Sequence, residues 1–329
     1  MPSHDVMPNM ELYQPVQVED ALAIADRLAD RGWLVGGGQD TYGWLKDRAK
    51  SVDAMIDLSA IESLRGIRET GDGIEIGALT TLTEIVNSPV IQQQFSLLSD
   101  AAGRVASPQI RNIGTLGGNV SQDVRCWYYR RGLSCYRAGG NLCYADTPQG
   151  MNREHALFEG SRCVAAGASD TAPALVALDA TMVIRNAGGE RTVAAEDYFV
   201  GPANDIQNTT VLRPGDILTA VRIPSTWANA NFYFEKVADR NVWDFSLVSI
   251  AAAFKLSGGN VVDSRIVAGA VQTTPRRLTN VENAIRGQVR NAQTAESVMA
   301  MATTGARALA HNGYKIPLLQ NLVKRAISA

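Results

Sequence analysis

The stretch that decides the fold is Thr115-Leu116-Gly117-Gly118-Asn119, a glycine-rich turn that follows a predicted helix at residues 96–106. A second glycine run, Gly36-Gly37-Gly38-Gln39-Asp40, follows a short predicted strand at residues 33–35. Glycine has no Cβ, so the backbone N–H groups of such runs can approach a ligand closely and suit a pyrophosphate. Taken singly, each run is equally well explained as a tight turn. Neither has the G-x-G-x-x-G spacing, and no helix is predicted to open from either, which argues against a Rossmann nicotinamide site.

All four cysteines of the chain lie directly after the glycine stretch at residues 115–119. We call this region, about residues 122–165, the cysteine segment. They are Cys126, Cys135, Cys143 and Cys163. Four thiols in one segment are the ligand set of a metal or iron–sulfur site. Their long spacers differ from the C-x2-C pairs of zinc ribbons and bacterial ferredoxins, and indicate an irregular loop around a centre. On residue chemistry alone a zinc site remains open, and so does a structural disulfide pair, although a reducing cytosol disfavours the latter.

Composition narrows the class of protein. The 329 residues are 46% hydrophobic and 19% charged, with a formal net charge of -2, which argues against nucleic acid as the main partner. No apolar run approaches the roughly 20 residues needed to cross a bilayer. Residues 1–13 are polar and lack the pattern of a signal peptide. We therefore expect a cytoplasmic protein without a membrane span, and note that export bound to a signal-bearing partner would leave no trace here.

Hydrophobic periodicity predicts a mixed chain with a boundary near residues 225–230. Helices are expected at residues 18–31, from 83, near 292–311 and at 316–327, with a capping box formed by Thr279 and Glu282. Strands are expected at residues 54–58 and 74–76, in a hairpin at 181–193, and in a meander over residues 232–271. The stretch at residues 172–180 is apolar except for Asp179.

The order of these signals resembles the FAD-binding subunit of the molybdenum hydroxylase (xanthine dehydrogenase) family, over nearly the whole chain. The two glycine stretches match that family's A-G-G-[TQ]-[NDS] and T-[IL]-G-G-N motifs. A later S-D-x-A-P-A-L motif is matched by Ser169-Asp170-Thr171-Ala172-Pro173-Ala174-Leu175. Gly215-Asp216-Ile217-Leu218 matches the family's G-[DE]-[IL]-L strand end, and the Ile-Pro pair that follows it in the family is Ile223-Pro224 here. The family's lysine with an arginine four residues later is matched by Lys236 and Arg240.

The resemblance implies an α+β fold in three parts. A two-part FAD-binding domain of the vanillyl-alcohol oxidase type would comprise residues 1–60 and 61–228, with an iron–sulfur insert at about 122–165. Residues 229–329 would form a C-terminal α+β domain of the CO dehydrogenase flavoprotein type, an antiparallel meander packed by helices.

The resemblance also implies which residues contact FAD. The backbones of residues 35–41 and 115–119 would cradle the pyrophosphate, and Asp170 would hold ribityl or ribose hydroxyls. Leu218 would pack near the flavin, and Lys236 would lie close to the isoalloxazine, where a cation stabilises the reduced anion. Thr41 departs from the family, which usually has an apolar residue there. The full expected set is Val35, Gly36, Gly37, Gly38, Gln39, Asp40, Thr41, Val105, Thr115, Leu116, Gly117, Gly118, Asn119, Asp170, Leu218 and Lys236.

For the cysteine segment the resemblance implies a [4Fe-4S] cluster held by Cys126, Cys135, Cys143 and Cys163. It is similar to the inserts of a bacterial aldehyde oxidoreductase branch and a 4-hydroxybenzoyl-CoA reductase branch, and residues 152–156 are closer to the former. We expect four arginines to offset the cluster's negative charge and three aromatic residues to pack over it, with His155 as a plain loop histidine. The arginines are Arg125, Arg130, Arg131 and Arg137, and the aromatic residues are Trp127, Tyr128 and Tyr129.

The function implied is electron transfer in a heterotrimeric molybdenum hydroxylase, most consistent with an aldehyde oxidoreductase. The partners would be a large molybdopterin subunit and a small subunit with [2Fe-2S] clusters, and two heterotrimers could pair. The external electron acceptor is left open, and no catalytic acid, base or nucleophile for the organic substrate is expected in this chain.

Three alternatives stay open. The chain could serve a 4-hydroxybenzoyl-CoA reductase-like or an N-heterocycle or xanthine dehydrogenase-like enzyme. It could be a stand-alone flavin oxidase, although none of His4, His155 and His311 lies beside a glycine loop for flavin attachment. It could also be a zinc-bearing interaction module.

Overall fold

In the computed structural model, residues 6–329 are described and build three β-sheets that follow one another along the chain, with helices packed on them. His4 and the start of the polar N-terminal stretch lie outside the described residues. The architecture is α+β, as predicted. Among residues 6–329, no helix is long and apolar enough to cross a membrane.

The first sheet is parallel, with strand order β1-β3-β2. Its strands are β1 (Glu11–Tyr13), β2 (Gly32–Val35) and β3 (Ala54–Asp57), and its helices are α1 (Val18–Leu28) and α2 (Thr41–Lys46). Parallel strands need a crossover, and α1 provides it between β1 and β2. The helix ends three residues earlier than predicted, because Ala29 takes a positive φ of 50° and residues 29–31 tighten into a 3-10 turn.

The second sheet is antiparallel, with order β4-β5-β8-β6-β7. Its strands are β4 (Ile67–Thr70), β5 (Gly73–Gly77), β6 (Thr181–Asn186), β7 (Gly189–Ala194) and β8 (Ile217–Pro224). The helices of this part are α3 (Leu82–Asn87), α4 (Pro89–Gln94), α5 (Ser96–Gly103), α6 (Pro108–Arg111), α7 (Leu116–Val120), α8 (Trp127–Arg130), α9 (Thr171–Ala177) and α10 (Ala195–Tyr198). The predicted hairpin is confirmed, with longer strands and a shorter turn, since Asn186 pairs with Gly189.

The third sheet is the predicted meander, with order β12-β11-β10-β9. Its strands are β9 (Asn231–Val237), β10 (Val248–Ser257), β11 (Asn260–Gly269) and β12 (Arg276–Arg277), and its helices are α11 (Thr279–Ile285), α12 (Ala292–Val298) and α13 (Lys315–Ser328). Both faces of β10 are buried. Ile250 and Phe254 pack with the C-terminal helices, while Ala251 and Ala253 pack into the core of the second sheet. Because both faces of β10 are covered, its sequence is a nearly continuous apolar run and not an alternating pattern.

Two predictions of local structure in the C-terminal part are wrong. Thr279 and Glu282 form no capping box, because Glu282 accepts a hydrogen bond from the Ile266 amide and pairs with Arg277 instead. The helix expected near 292–311 ends as α12 at Val298 and continues only as a 3-10 turn, Met299–Thr303.

The prediction that no helix opens from the glycine loops is also wrong. The short helix α2 begins directly after Asp40, and α7 begins after Thr115, whose Oγ1 accepts a hydrogen bond from the Gly118 amide. Glycine is a poor helix former, but here it permits close packing: a Cβ on Gly117 would lie 2.9 Å from the Ala78 carbonyl oxygen.

Candidate functional site

The two glycine loops, residues 36–40 and 115–119, lie against each other where the first and second sheets meet. A Cβ added to Gly37 would lie 2.2 Å from the Ile113 carbonyl oxygen, and one added to Gly36 would lie 2.9 Å from Thr115 Oγ1. Real side chains do not approach this closely, so the contact depends on glycine at both positions. The fold thus joins two motifs that are far apart in the sequence.

The first glycine loop presents unpaired backbone amides. Within the described part of the chain, no acceptor takes a hydrogen bond from the N–H of Gly37, Gly38 or Gln39. Gly38 has a φ of +70°, which turns the loop sharply before α2. Successive free amides in such a turn form a concave site for an anion, and this arrangement fits a pyrophosphate.

The second glycine loop is different, because its amides are already bonded. Leu116 N donates to the Thr80 carbonyl at 2.9 Å and Gly117 N to the Ala78 carbonyl at 2.8 Å. Asn119 N donates to the Thr115 carbonyl at 2.9 Å. This loop can therefore form a close wall beside a ligand, while the unpaired donors lie on the first loop.

Asn119 connects the second loop to the segment around Asp170. Its Oδ1 accepts hydrogen bonds of 2.6 Å from both Ser169 Oγ and Thr171 Oγ1. The Ser169 hydroxyl also accepts from the Ala172 amide at the start of α9. These bonds fix the position of Asp170 relative to the glycine loops.

Asp170 is buried and bonded on both carboxylate oxygens. Oδ2 lies 2.5 Å from Lys236 Nζ, and Oδ1 accepts a 2.7 Å hydrogen bond from Ser246 Oγ. Burial raises the pKa of Asp170, and the charge of Lys236 opposes this shift. Lys236 also donates to the Arg104 carbonyl at 3.0 Å, so two of its three donors are in use. Asp170 and Lys236, which the resemblance places at different parts of FAD, therefore form a direct ion pair.

Two apolar members of the expected set, Val105 and Leu218, adjoin in sequence residues that bond to Lys236 or to the residue beside the second loop. Val105 follows Arg104, the acceptor of Lys236, and is almost completely buried. Leu218 lies on β8, one residue before Thr219, whose carbonyl accepts from the Ala78 amide beside the second loop. Both side chains belong to the core cluster of the second sheet.

Asp40 connects the first glycine loop to the cysteine segment. Its Oδ1 accepts a short hydrogen bond from Arg125 Nη1 and a 3.4 Å contact from Arg130 Nη1. Its Oδ2 accepts from Trp44 Nε1 at 3.0 Å, and the Arg130 guanidinium lies 4.2 Å from a Trp44 ring centroid. A Cβ on Gly43 would lie 2.5 Å from Arg130 Nη2, so the guanidinium would have to shift to accommodate a larger residue there.

The four cysteines line one cavity, which we call the cysteine cavity. It encloses about 330 Å³ of non-atom space, part of it open to solvent. All four are free thiols, which overturns the disulfide alternative. Within residues 6–329, however, no three His, Cys, Asp or Glu side chains lie close enough together to hold one metal ion.

Burial disfavours the thiolate form of two of the four cavity thiols. It raises the pKa of Cys126 to about 12 and also raises the pKa of Cys163. At Cys126 and Cys163 the neutral thiol is therefore favoured, and a metal ion bound there would have to displace the proton, since thiolates are the metal-binding form.

Arg137 is the one arginine of the expected four that lines the cavity. It donates to Asp123 through Nε and Nη2, at 3.1 and 2.6 Å, and to the Ile206 carbonyl. Lys50 also pairs with Asp123, at 2.6 Å. Arg125 and Arg130 are engaged by Asp40, and Arg131 is exposed.

The aromatic residues of the cysteine segment divide by position. Tyr128 and Tyr129 line the cavity as expected, whereas Trp127 is 40% exposed and stacks on Tyr128 with ring centroids 4.2 Å apart. Tyr144, which the sequence reasoning missed, lines the cavity and also stacks on Tyr128, with ring centroids 5.8 Å apart.

The expectation that His155 is a plain loop histidine is wrong. The residue is 5% exposed, lines the cysteine cavity, and has Nε2 3.3 Å from Cys126 Sγ. Burial lowers the pKa of His155 to about 4, with a smaller contribution from the charge of Lys315. Tyr136 and Arg162 also line the cavity and were missed, because nothing in the sequence distinguishes them from other loop residues.

Two family models together cover almost the whole chain. Residues 8–226 match the FAD binding domain in molybdopterin dehydrogenase, and residues 233–329 match the CO dehydrogenase flavoprotein C-terminal domain.

Individual relatives agree in length as well as in sequence. The chain is 26% identical to the carbon monoxide dehydrogenase medium chain of Hydrogenophaga pseudoflava, covering 98% of both proteins. It is 27% identical to the aldehyde oxidoreductase FAD-binding subunit PaoB of Escherichia coli K12, covering 96% of both. A solved structure of carbon monoxide dehydrogenase from Hydrogenophaga pseudoflava superposes with a TM-score of 0.78 at 25% identity, covering 98% of this chain and 97% of that one.

Proposed function

The chain belongs to the family of FAD-binding subunits of molybdopterin dehydrogenases, and we propose that it relays electrons between FAD and a [4Fe-4S] cluster within such an enzyme. It is an oxidoreductase subunit, and FAD is the cofactor of its family. The observation that most favours a relay is the short connection between its two candidate sites. Asp40 of the first glycine loop binds Arg125, and Arg125 directly precedes Cys126 of the cysteine cavity.

For FAD, we propose that the free amides of Gly37, Gly38 and Gln39 hold the pyrophosphate. Residues 115–119 would form the wall opposite them, and Leu218 and Val105 would exclude water from the apolar parts of the cofactor. The Lys236–Asp170 pair would place a fixed cation and anion at the site, with one donor of Lys236 still available.

For the cluster, we propose Cys126, Cys135, Cys143 and Cys163 as ligands. A zinc ion with Zn–S bonds of about 2.3 Å needs thiolates about 3.8 Å apart. No three candidate ligands within residues 6–329 are grouped to hold one ion, which disfavours zinc at these positions. A [4Fe-4S] cluster binds each thiolate through a different iron, so its thiolates stand farther apart around a shared cavity. Four separate thiols that line one cavity therefore suit a [4Fe-4S] cluster better than a single zinc ion.

The residues of this chain would bind and tune the two groups. When bound, FAD exchanges electrons singly or in pairs and the cluster exchanges them singly. Arg137, buried in the cavity wall, would offset part of the negative charge of four thiolates. The apolar and aromatic lining would limit solvent access and so help to set the potential.

We propose further that the chain acts with a large molybdopterin subunit and a small [2Fe-2S] subunit, in the cytoplasm, where thiols remain reduced. An aldehyde oxidoreductase is the class we favour, because residues 152–156 resemble that branch and a full-length relative is an aldehyde oxidoreductase subunit. The complex isolated through a tag on this chain should oxidise an aldehyde with an artificial acceptor. Turnover of xanthine or a N-heterocycle instead would contradict the aldehyde assignment.

The cofactor proposal is tested by purifying the full chain anaerobically and measuring flavin, iron, acid-labile sulfide and zinc. We expect one FAD and about four irons per chain. Cys143→Ser should lose iron and still bind FAD, although less tightly than the wild type, whereas Gly37→Ala should lose flavin. Stoichiometric zinc without iron would contradict the cluster, and a colourless protein after reconstitution would contradict both cofactors.

A further inference from the structure

His155 lies in the wall of the cysteine cavity. It comes from near the end of the cysteine segment, whereas its partner Cys126 comes from near the start. It is separated from Cys126 by 29 residues, yet its Nε2 lies 3.3 Å from Cys126 Sγ. This is within hydrogen-bonding distance for sulfur. Of the two histidines within residues 6–329, His155 and His311, it is His155 that lines this cavity.

The loop that carries His155 is held rigidly by buried side chains. Asn312 Nδ2 donates to the carbonyls of both His155 and Ala156 at 3.0 Å. The His155 amide donates to the Asn152 carbonyl at 3.1 Å, and Lys315 Nζ donates to the Glu154 carbonyl at 2.9 Å. These bonds come largely from the C-terminal part of the chain, and they fix the imidazole next to the thiol.

The surroundings of the ring determine its hydrogen-bonding state. Nδ1 is buried and has no partner in the described part of the chain. An imidazolium would bury an unpaired, charged N–H there, which is costly, so the neutral ring is favoured. A thiolate can only accept, and a neutral imidazole has one N–H to donate. With Cys126 as a thiolate, the proton of His155 therefore belongs on Nε2.

We propose that His155 donates a hydrogen bond from Nε2 to the Cys126 thiolate and thereby raises the reduction potential of the cluster. This inference rests on the proposed [4Fe-4S] site. Hydrogen bonds to the cluster sulfurs are among the factors that set cluster potentials. The reduced cluster is the more negative form, so a donor stabilises it more than the oxidised form. His155 is a positioning and tuning residue, and the four cysteines remain the ligands.

The test compares His155→Leu and His155→Gln in the anaerobically purified full chain, by iron analysis and EPR-monitored redox titration. His155→Leu removes the donor, and it should keep about four irons while shifting the reduction equilibrium about tenfold, about 59 mV lower for a one-electron couple. His155→Gln keeps an N–H donor and should lie closer to the wild type. His311→Leu, an exposed histidine, is the matched control and should leave the potential unchanged.

The outcomes separate this inference from the cofactor proposal. An iron-loaded His155→Leu chain with the wild-type potential would overturn the role of His155 and leave the cluster intact. A wild-type chain without iron would overturn both. Pulsed EPR of the wild-type chain labelled with 15N-histidine provides a second measurement if His155→Leu fails to fold. A weak nitrogen coupling is expected, whereas no coupling, or the strong coupling of a directly bound nitrogen, would overturn the proposed hydrogen bond.

Discussion

Lys236 Nζ lies 2.5 Å from Asp170 Oδ2, and both side chains are more than nine-tenths buried. Lys236 comes from the edge strand β9 of the third sheet, and Asp170 directly precedes α9. The ion pair therefore joins the C-terminal part of the chain to the part that contains the second glycine loop. Ser246 and the Arg104 carbonyl complete its hydrogen bonds. A buried pair this well bonded is sensitive to the loss of one partner.

Lys236→Met should lower the free energy of unfolding by about 3–5 kcal/mol, because the Asp170 carboxylate would be left buried without a cation. Adding Asp170→Asn to that variant should recover part of the loss. Urea unfolding of the wild type, Lys236→Met, Asp170→Asn and the double variant measures the coupling between the two residues.

The matched control for this prediction is Lys324→Met. Lys324 pairs with Glu296 on an exposed surface, and such pairs contribute about 0–1 kcal/mol. If Lys236→Met unfolds at the wild-type urea concentration, the buried pair has no structural role. Flavin content of the same variants then shows whether the pair acts on the cofactor.

Gly37→Ala should abolish flavin retention and destabilise the fold. The new methyl group would lie 2.2 Å from the Ile113 carbonyl oxygen, so the two glycine loops would have to separate. Gly71→Ala is the matched control, since an added Cβ there meets nothing within 4 Å. Flavin absorbance after gel filtration measures the outcome, and a Gly37→Ala protein that keeps its flavin would show that the loop contact is not needed for binding.

Asp40→Asn should weaken the energetic coupling between the flavin and cluster sites. In the wild type, loss of iron through Cys143→Ser should weaken FAD binding about 5-fold or more, because coupling free energies between sites are typically about 1–3 kcal/mol. With Asp40→Asn, the bonds to Arg125 and Arg130 are weakened, and Cys143→Ser should have a smaller additional effect.

This coupling is measured by titrating FAD into deflavinated protein for the wild type, both single variants and the double variant. If the effects of Asp40→Asn and Cys143→Ser on the free energy of FAD binding simply add in the double variant, coupling through Asp40 is contradicted. A chain that binds FAD equally well with and without iron would contradict coupling altogether.

The sequence contains enough information to predict the strands that pack into the core, but not the contacts between side chains from distant parts of the chain. The alternation of Ile74 and Ile76 and the apolar run of β10 report burial on one or both faces, and both strands are confirmed. Thr279 and Glu282 do not form the predicted capping box, because Glu282 makes a tertiary contact with Ile266 that no local pattern encodes.

The same limit applies to the candidate site. The glycine stretches and cysteines were found because glycine and thiol have few alternatives for close approach and metal binding. The contact of His155 with Cys126 and that of Lys236 with Asp170 depend on how the C-terminal part of the chain packs on the rest. Asn312 and Lys315 bond to the carbonyls of His155 and Glu154 and so hold the loop that carries His155, yet they lie more than 150 residues away in sequence.

The buried ammonium of Lys315 should make stability rise with pH above neutrality. Burial lowers the pKa of Lys315 to about 7, with Arg153 adding to the shift and Glu154 opposing it. Above pH 7 the unfolded chain, with a lysine pKa of about 10.4, binds a proton that the folded chain has lost, so folding becomes more favourable. The unfolding free energy of the wild type relative to Lys315→Met should increase by about 1 kcal/mol from pH 7 to pH 8. Urea unfolding at several pH values measures this difference. Lys324→Met is the control and should show no such trend, and a pH-independent difference for Lys315→Met would contradict the shifted pKa.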